Sequence, residues 1–272
     1  MKPMWARAAL YSALLVALSW FQFGQDGSAF AVSQRAADLF EQQPTTTLLI
    51  VGNSRTFYND MPSMLRRLAN SRDSRSNIEI ETATAPGASF QDHWSNSRTK
   101  RLLAAGWDEV ILQGESGAQS SSEQNELFQS YGEKLATIAQ VNGGRPTLLA
   151  NWPYDPEQFR DYPAYGRPQQ LAWVHHIHYR LARDAQTKLL NLADLWETVR
   201  TDHPEFKLTV DGNHPSLAGS YLYALAVYTF VTNEPVGRLS YAPDGLAPAD
   251  AATLRTEVDA FSFRRLRGWT AG

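Results

Sequence analysis

The sequence predicts an α/β fold in which a five-stranded parallel sheet carries helices on both faces. Three observations predict it. Five short runs rich in Val, Ile, Leu and Thr recur along the chain, segments with a helical apolar period separate them, and glycines stand where those helices should stop. Parallel strands need crossover connections, and right-handed crossovers place helices on both sides of the sheet.

The first strand is Thr45 to Val51, ending at Gly52 and apolar enough to be buried on both faces. A helix follows, opened by Pro62, with Met64, Leu65, Leu68 and Ala69 on one face, until the polar stretch Asn70 to Asn77 breaks the period. The unit then repeats: strand Ile78 to Thr84, helix near Ser97 to Ala105, strand Glu109 to Gln113, helix Ser122 to Gln140, strand Thr147 to Ala150, helix Gln169 to Ala185 and strand Lys188 to Leu192. Gly106, Gly143 and Gly144 mark helix ends, and Asp194 reads as a helix cap. Helices over Ser216 to Val231 and Pro248 to Phe261 close the chain. The irregular stretch Trp152 to Pro168 leaves a strand's carboxyl end, so it either overhangs a site or simply connects. No repeat, low-complexity tract or charge block marks a second domain.

The 272 residues are 43% hydrophobic and 19% charged, carry a formal net charge of -3 and include no cysteine. That excludes disulfides, thiol nucleophiles, Cys-ligated zinc and iron–sulfur clusters, and gives no general attraction to nucleic acid. Chemistry must come from hydroxyls, carboxylates, imidazoles and backbone amides. Residues 1–31 read as a secretory signal: Lys2 and Arg7 precede the apolar run Ala8 to Phe23, and Ala29-Phe30-Ala31 fits a cleavage site. The mature domain would span residues 32–272 and be secreted or periplasmic. Membrane attachment follows only if the segment stays uncleaved, since its apolar run is slightly short of the ~20 residues that span a bilayer.

Val51-Gly52-Asn53-Ser54 puts a hydroxyl at the carboxyl end of the first strand, where ligands bind in such sheets. Serine is a poor nucleophile unless an imidazole takes its proton and a carboxylate orients the ring. Both partners stand in Asp211-Gly212-Asn213-His214-Pro215-Ser216, where Asp211 can reach back to Nδ1 of His214 and leave Nε2 for the hydroxyl. Each fragment alone also fits a plain role: a capping serine, and a turn followed by the helix cap Ser216. Gly87, after the second strand, lets the backbone approach a substrate or simply adopts positive φ.

Gly52-Asn53-Ser54, Gly87, the segment after the third strand and Asp211-x-x-His214 resemble, in order and spacing, the four sequence blocks of the SGNH hydrolases, the GDSL-like esterases. The resemblance runs from Thr45 to Val231. It implies a flavodoxin-like three-layer α/β/α sandwich, Ser54 as nucleophile, His214 as general base and Asp211 as its orienter, with the N–H groups of Ser54 and Gly87 in an oxyanion hole. Two positions depart from the pattern. Asn53 replaces the usual Asp, and Leu112-Gln113-Gly114-Glu115-Ser116 replaces Gly-x-Asn-Asp. The second segment is similar to the Gln-Gly-Glu-Ser of SGNH-like carbohydrate acetylesterases, which implies Gln113 as the third oxyanion donor and O-acetyl groups on sugars as substrate; Glu115 reads as a loop brace.

The function expected is therefore a secreted serine esterase acting on a small-molecule or glycan ester, without cofactor. Two alternatives remain: a glycan O-acyltransferase using the same triad, and a non-catalytic glycan-binding protein on a hydrolase scaffold that stacks sugars on Trp94, Trp152, Tyr154, Tyr162 and Tyr165. Two competing sites are weaker. Gly114-Glu115-Ser116-Gly117-Ala118 lacks the last glycine of a nucleophile elbow. His175 and His178 share a helix face but bring no metal-binding carboxylate motif, so no metal is expected. No phosphate-cradling loop is present.

Overall fold

The computed structural model describes residues 45–71, 74, 76–118, 120–155 and 166–261. The proposed signal segment, residues 1–31, lies outside them, as do Tyr162 and Tyr165.

Five strands form one sheet: β1 (Thr45–Gly52), β2 (Asn77–Thr84), β3 (Glu109–Leu112), β4 (Arg145–Leu149) and β5 (Lys188–Leu190). Their order is β2-β1-β3-β4-β5 and every pairing is parallel, with Thr45 opposite Asn77 and Leu48 opposite Glu109. This order puts a topological switch point between β1 and β3, and ligands of such sheets bind beyond the carboxyl ends of the strands at that point.

Alternation along the strands builds two cores. Leu48 and Ile50 of β1 face one cluster with Ile111, Leu149 and Leu190; Leu49 and Val51 face the other with Val110, Leu112, Leu148 and Leu189. The first is closed by α2 (Met61–Ala69), α7 (Leu192–Asp202), α8 (Leu217–Thr232) and α9 (Pro248–Ala260). The second is closed by α3 (Phe90–Ser95), α4 (Ser97–Leu103), α5 (Ser122–Val141) and α6 (Arg167–Asp184). The result is the three-layer α/β/α sandwich. Helix α8 is buried from Gly219 to Phe230, which explains why its sequence is apolar all round rather than striped.

Three departures from expectation have local causes. The helix expected near Ser97 to Ala105 is two short helices, because Asn96 leaves helical backbone (φ −83°, ψ 115°) and caps α4 with its side chain. The fifth strand ends at Leu190, and Leu192 already opens α7. Its cap is Asn191, whose side chain accepts the Asp194 N–H, so Asp194 is not the cap. Among the described residues no helix is long and apolar enough to cross a membrane.

Candidate active site

Strand β1 delivers its last residues to the switch point through a turn that requires glycine. A Cβ on Gly52 would stand 2.5 Å from Thr56 Oγ1 and 2.7 Å from Gln113 Oε1. Asn53 then caps the short helix α1 (Ser54–Phe57), its side chain accepting the Arg55 N–H. Its Nδ2 donates to the carbonyl of Ala88 at 3.1 Å and, at 3.4 Å, to that of Gly114. An aspartate could not make these two bonds, which gives the departure from the usual Asp a structural reason. Ser54 is left partly exposed at the start of α1.

The imidazole arrives on the loop between α7 and α8. A bridge from Thr209 to Pro215 and the Val210 N–H bonded to the His214 carbonyl close this loop, with Gly212 at φ 82°. Asp211 organises it. One carboxylate oxygen accepts the backbone N–H groups of Asn213 (2.9 Å) and His214 (2.7 Å), and the other lies 2.6 Å from Nδ1 of His214. A carboxylate only accepts, so Nδ1 carries a proton, and in the neutral ring Nε2 is then the acceptor. Nε2 stands 3.0 Å from Ser54 Oγ. Partial burial pushes the Asp211 carboxyl up, but the bonds from the His214 ring and the two backbone N–H groups outweigh it and hold the group below its ordinary value.

Gly87 sits exposed at φ 64° in the turn after β2, with open space where a Cβ would lie. The turn is tied to the segment that carries Ser54 by Asn53 Nδ2 on Ala88 and by the Ala85 N–H on the Gly52 carbonyl. The N–H groups of Ser54 and Gly87 donate no backbone hydrogen bond among the described residues. Both are therefore unspent donors at the carboxyl ends of β1 and β2.

Gln113 differs from expectation. It is fully buried, with Oε1 accepting from the Asn53 N–H (2.9 Å) and the Thr56 hydroxyl (2.8 Å), and Nε2 donating to the Gly114 carbonyl. An amide with no solvent contact cannot meet a substrate oxygen without rearranging, so in this arrangement Gln113 fixes the turn that carries Ser54. Glu115 accepts the Phe90 N–H at 3.1 Å and braces α3; burial pushes its carboxyl up.

The competing sites do not assemble. The hydroxyl of Ser116 bonds that of Tyr154 at 2.5 Å, while His214 faces Ser54. His175 pairs with Asp194 at 2.6 Å, whereas His178 is buried with Nδ1 on the Val174 carbonyl, so the two imidazoles take different partners. Trp152 and Tyr154 are buried, the former stacked on Trp196 at 4.0 Å, and neither offers a face for a sugar.

Sequence reasoning missed Arg55. Its guanidinium is buried beside Ser54, donating to Asn213 Oδ1 (2.9 Å) and to the Trp152 carbonyl (2.6 Å), and lies over the rings of Trp152 and Tyr154 at 4.7 and 4.9 Å. Trp152 adds an indole N–H bond to the Asn213 carbonyl, and the Asp155 N–H bonds the Gly212 carbonyl. The loops after β1, β4 and α7 are thus locked together. No local pattern signals this, because every partner is distant in sequence.

No family model and no curated protein sequence matches the chain. Solved structures do. A candidate SGNH hydrolase from Slackia heliotrinireducens is 25% identical with a TM-score of 0.59, over 68% of this chain and 98% of that one. A DUF4886 family protein from Bacteroides uniformis is 16% identical with a TM-score of 0.68, over 80% and 95%. A lipase/acylhydrolase from Enterococcus faecalis is 14% identical with a TM-score of 0.53, over 73% and 99%. The fold is that of the SGNH, GDSL-like hydrolases.

Proposed function

We propose that the chain is an exported serine esterase that cleaves short acyl esters, O-acetyl groups on carbohydrate in particular, through Ser54, His214 and Asp211. One observation carries the reading: an oriented imidazole whose acceptor nitrogen lies 3.0 Å from a partly exposed serine hydroxyl. That is hydrogen-bond reach for a general base. The acetyl preference draws on Gln113-Gly114-Glu115-Ser116 and its likeness to carbohydrate acetylesterases; export draws on residues 1–31.

In the proposed reaction Ser54 Oγ attacks the ester carbonyl as its proton passes to Nε2 of His214. Asp211, already bonded to Nδ1, stabilises the imidazolium. Negative charge grows on the former carbonyl oxygen, and the N–H groups of Ser54 and Gly87 are the donors available to it; one such donor contributes about 3 kcal/mol. Collapse breaks the ester C–O bond, the alcohol leaves with the proton from His214, and water repeats the sequence on the acyl-enzyme to release acid and free Ser54.

Hydrolysis of an arylacetate by the parent protein and by Ser54→Ala tests this. Loss of at least about 10³-fold in kcat is expected. Equal rates would end the proposal. Adding glycan acceptors to the same assay separates hydrolysis from transfer, through the ratio of free acetate to acetylated sugar.

A further inference from the structure

The ring of His214 is covered on one face by the segment that carries the nucleophile. Tyr58 lies on it, with ring centroids 4.8 Å apart and planes inclined by 17°. Tyr58 also ends α1, its N–H donating to the Ser54 carbonyl, so one helical turn links the hydroxyl to the ring that packs on its base.

The backbone beyond Tyr58 is unusual. Asn59 and Asp60 both adopt left-handed conformations, φ 51° and 52°, without being glycine. Each costs on the order of 1 kcal/mol and persists only where the surroundings hold it. Asn59 supplies the hold: its Nδ2 donates to the Pro215 carbonyl and to Ser220 Oγ, both at 2.9 Å, and Ser220 Oγ donates to the Tyr58 carbonyl at 3.2 Å. Pro215 directly follows His214, and Ser220 stands in the first turns of α8.

We infer that Tyr58 and Asn59 form a clamp, built from the nucleophile's own segment, that fixes the His214 ring against Ser54; Tyr58 acts as a positioning residue. The inference rests on the reading of Ser54 and His214 as the reacting pair. Asp211 grips the imidazole by one edge, and its side chain is 48% exposed, so water competes for that grip and the ring can swing about it. A stacked face removes the swing. Misplacement by about 1 Å costs on the order of 10²-fold in rate. The tyrosine face also attracts the cation formed when His214 takes the proton. Only the ring is used, so phenylalanine should serve as well.

The test compares the parent protein with Tyr58→Phe, Tyr58→Leu and Asn59→Gly, by fluorophosphonate labelling of Ser54, arylacetate kinetics and the NMR signal of the His214 Cε1–H. Asn59→Gly accepts the left-handed φ and should fold while losing the tie to Pro215 and Ser220. Tyr58→Phe should label and turn over within about twofold of the parent. Tyr58→Leu and Asn59→Gly should fall about 10- to 100-fold in labelling rate and kcat with KM within about twofold. The His214 signal, shielded by the tyrosine ring, should move downfield in Tyr58→Leu and stay in Tyr58→Phe. Parent-like labelling by a folded Tyr58→Leu or Asn59→Gly would overturn the clamp and leave the serine mechanism standing. A parent that never labels would sink the mechanism, and an unmoved His214 signal in Tyr58→Leu would overturn the clamp without reference to catalysis.

Discussion

Asn53 and the Asp it replaces in the usual motif differ by one terminal group, and here that group faces carbonyl oxygens. Its Nδ2 donates to Ala88 and Gly114. Asn53→Asp keeps the capping oxygen but sets a carboxylate against two acceptors, an expected loss of about 1–3 kcal/mol readable as a lower denaturant midpoint. An unchanged midpoint would show that the Asp of the usual motif fits here equally well. At Asp211 the charge matters more than the shape. Asp211→Asn keeps the bulk but removes the charge proposed to stabilise the imidazolium, so kcat should drop on the order of 10²- to 10⁴-fold with little change in the melting temperature. A variant with parental kcat would deny Asp211 its role.

Helix α6 carries a buried base that makes the fold acid-sensitive. Burial lowers His178 from 6.5 to about 4, against a small opposing pull from its bond to the Val174 carbonyl. The native state therefore holds it neutral while the unfolded chain protonates it below about pH 6.5, so stability rises with pH from 4 to 6.5 and is lost as pH falls, by about 3 kcal/mol in full. His178→Phe should flatten the unfolding midpoint across that window; a profile as steep as the parent's would assign the sensitivity elsewhere. The strand β1 turn offers a second test at this scale. Gly52→Ala drives a methyl into Thr56 and Gln113 and should cost about 1–3 kcal/mol while slowing arylacetate turnover. Parental stability and rate would mean the turn yields easily. The strands and the long helices α5, α6, α8 and α9 were legible because their apolar periods run for several turns or fill a short run outright. Helix α3 was not, since six residues hold too little period, although its Ser89-x-x-Asp92 capping box was there to be read. The sequence places the start of helix α7 at Asp194 rather than Asn191, because a single residue separates it from β5 and the two apolar runs merge. At the proposed site, turn chemistry left Ser54, Gly87, Asp211 and His214 each with a plain alternative, and it is the resemblance of their order and spacing to the SGNH blocks that singled them out. Arg55, Tyr58 and Asn59 could not, because what they do depends on partners about 95 to 165 positions away. For Gln113 the sequence shows an amide at a strand end but not that its side chain is buried against Asn53 and Thr56.

The chain order of the strands decides where chemistry can occur in the molecule as a whole. Because β2 and β3 lie on opposite sides of β1, the segment after β1 is flanked by both of theirs, and the return loop before α8 completes the set from a point late in the chain. Nothing but folding brings Ser54 to His214. The proposed export of this domain is checked by sequencing the amino terminus of protein recovered from the host's extracytoplasmic fraction: Val32 is expected first, and an intact Met1 in that fraction would replace cleavage with anchoring. The most direct test of the whole account is a fluorophosphonate reacted with folded parent protein, with the adduct mapped by peptide mass spectrometry. A single adduct on Ser54, lost in His214→Ala and absent after unfolding, is the predicted result. Folded protein that stays unlabelled, or that carries the adduct on Ser116 instead, would contradict it.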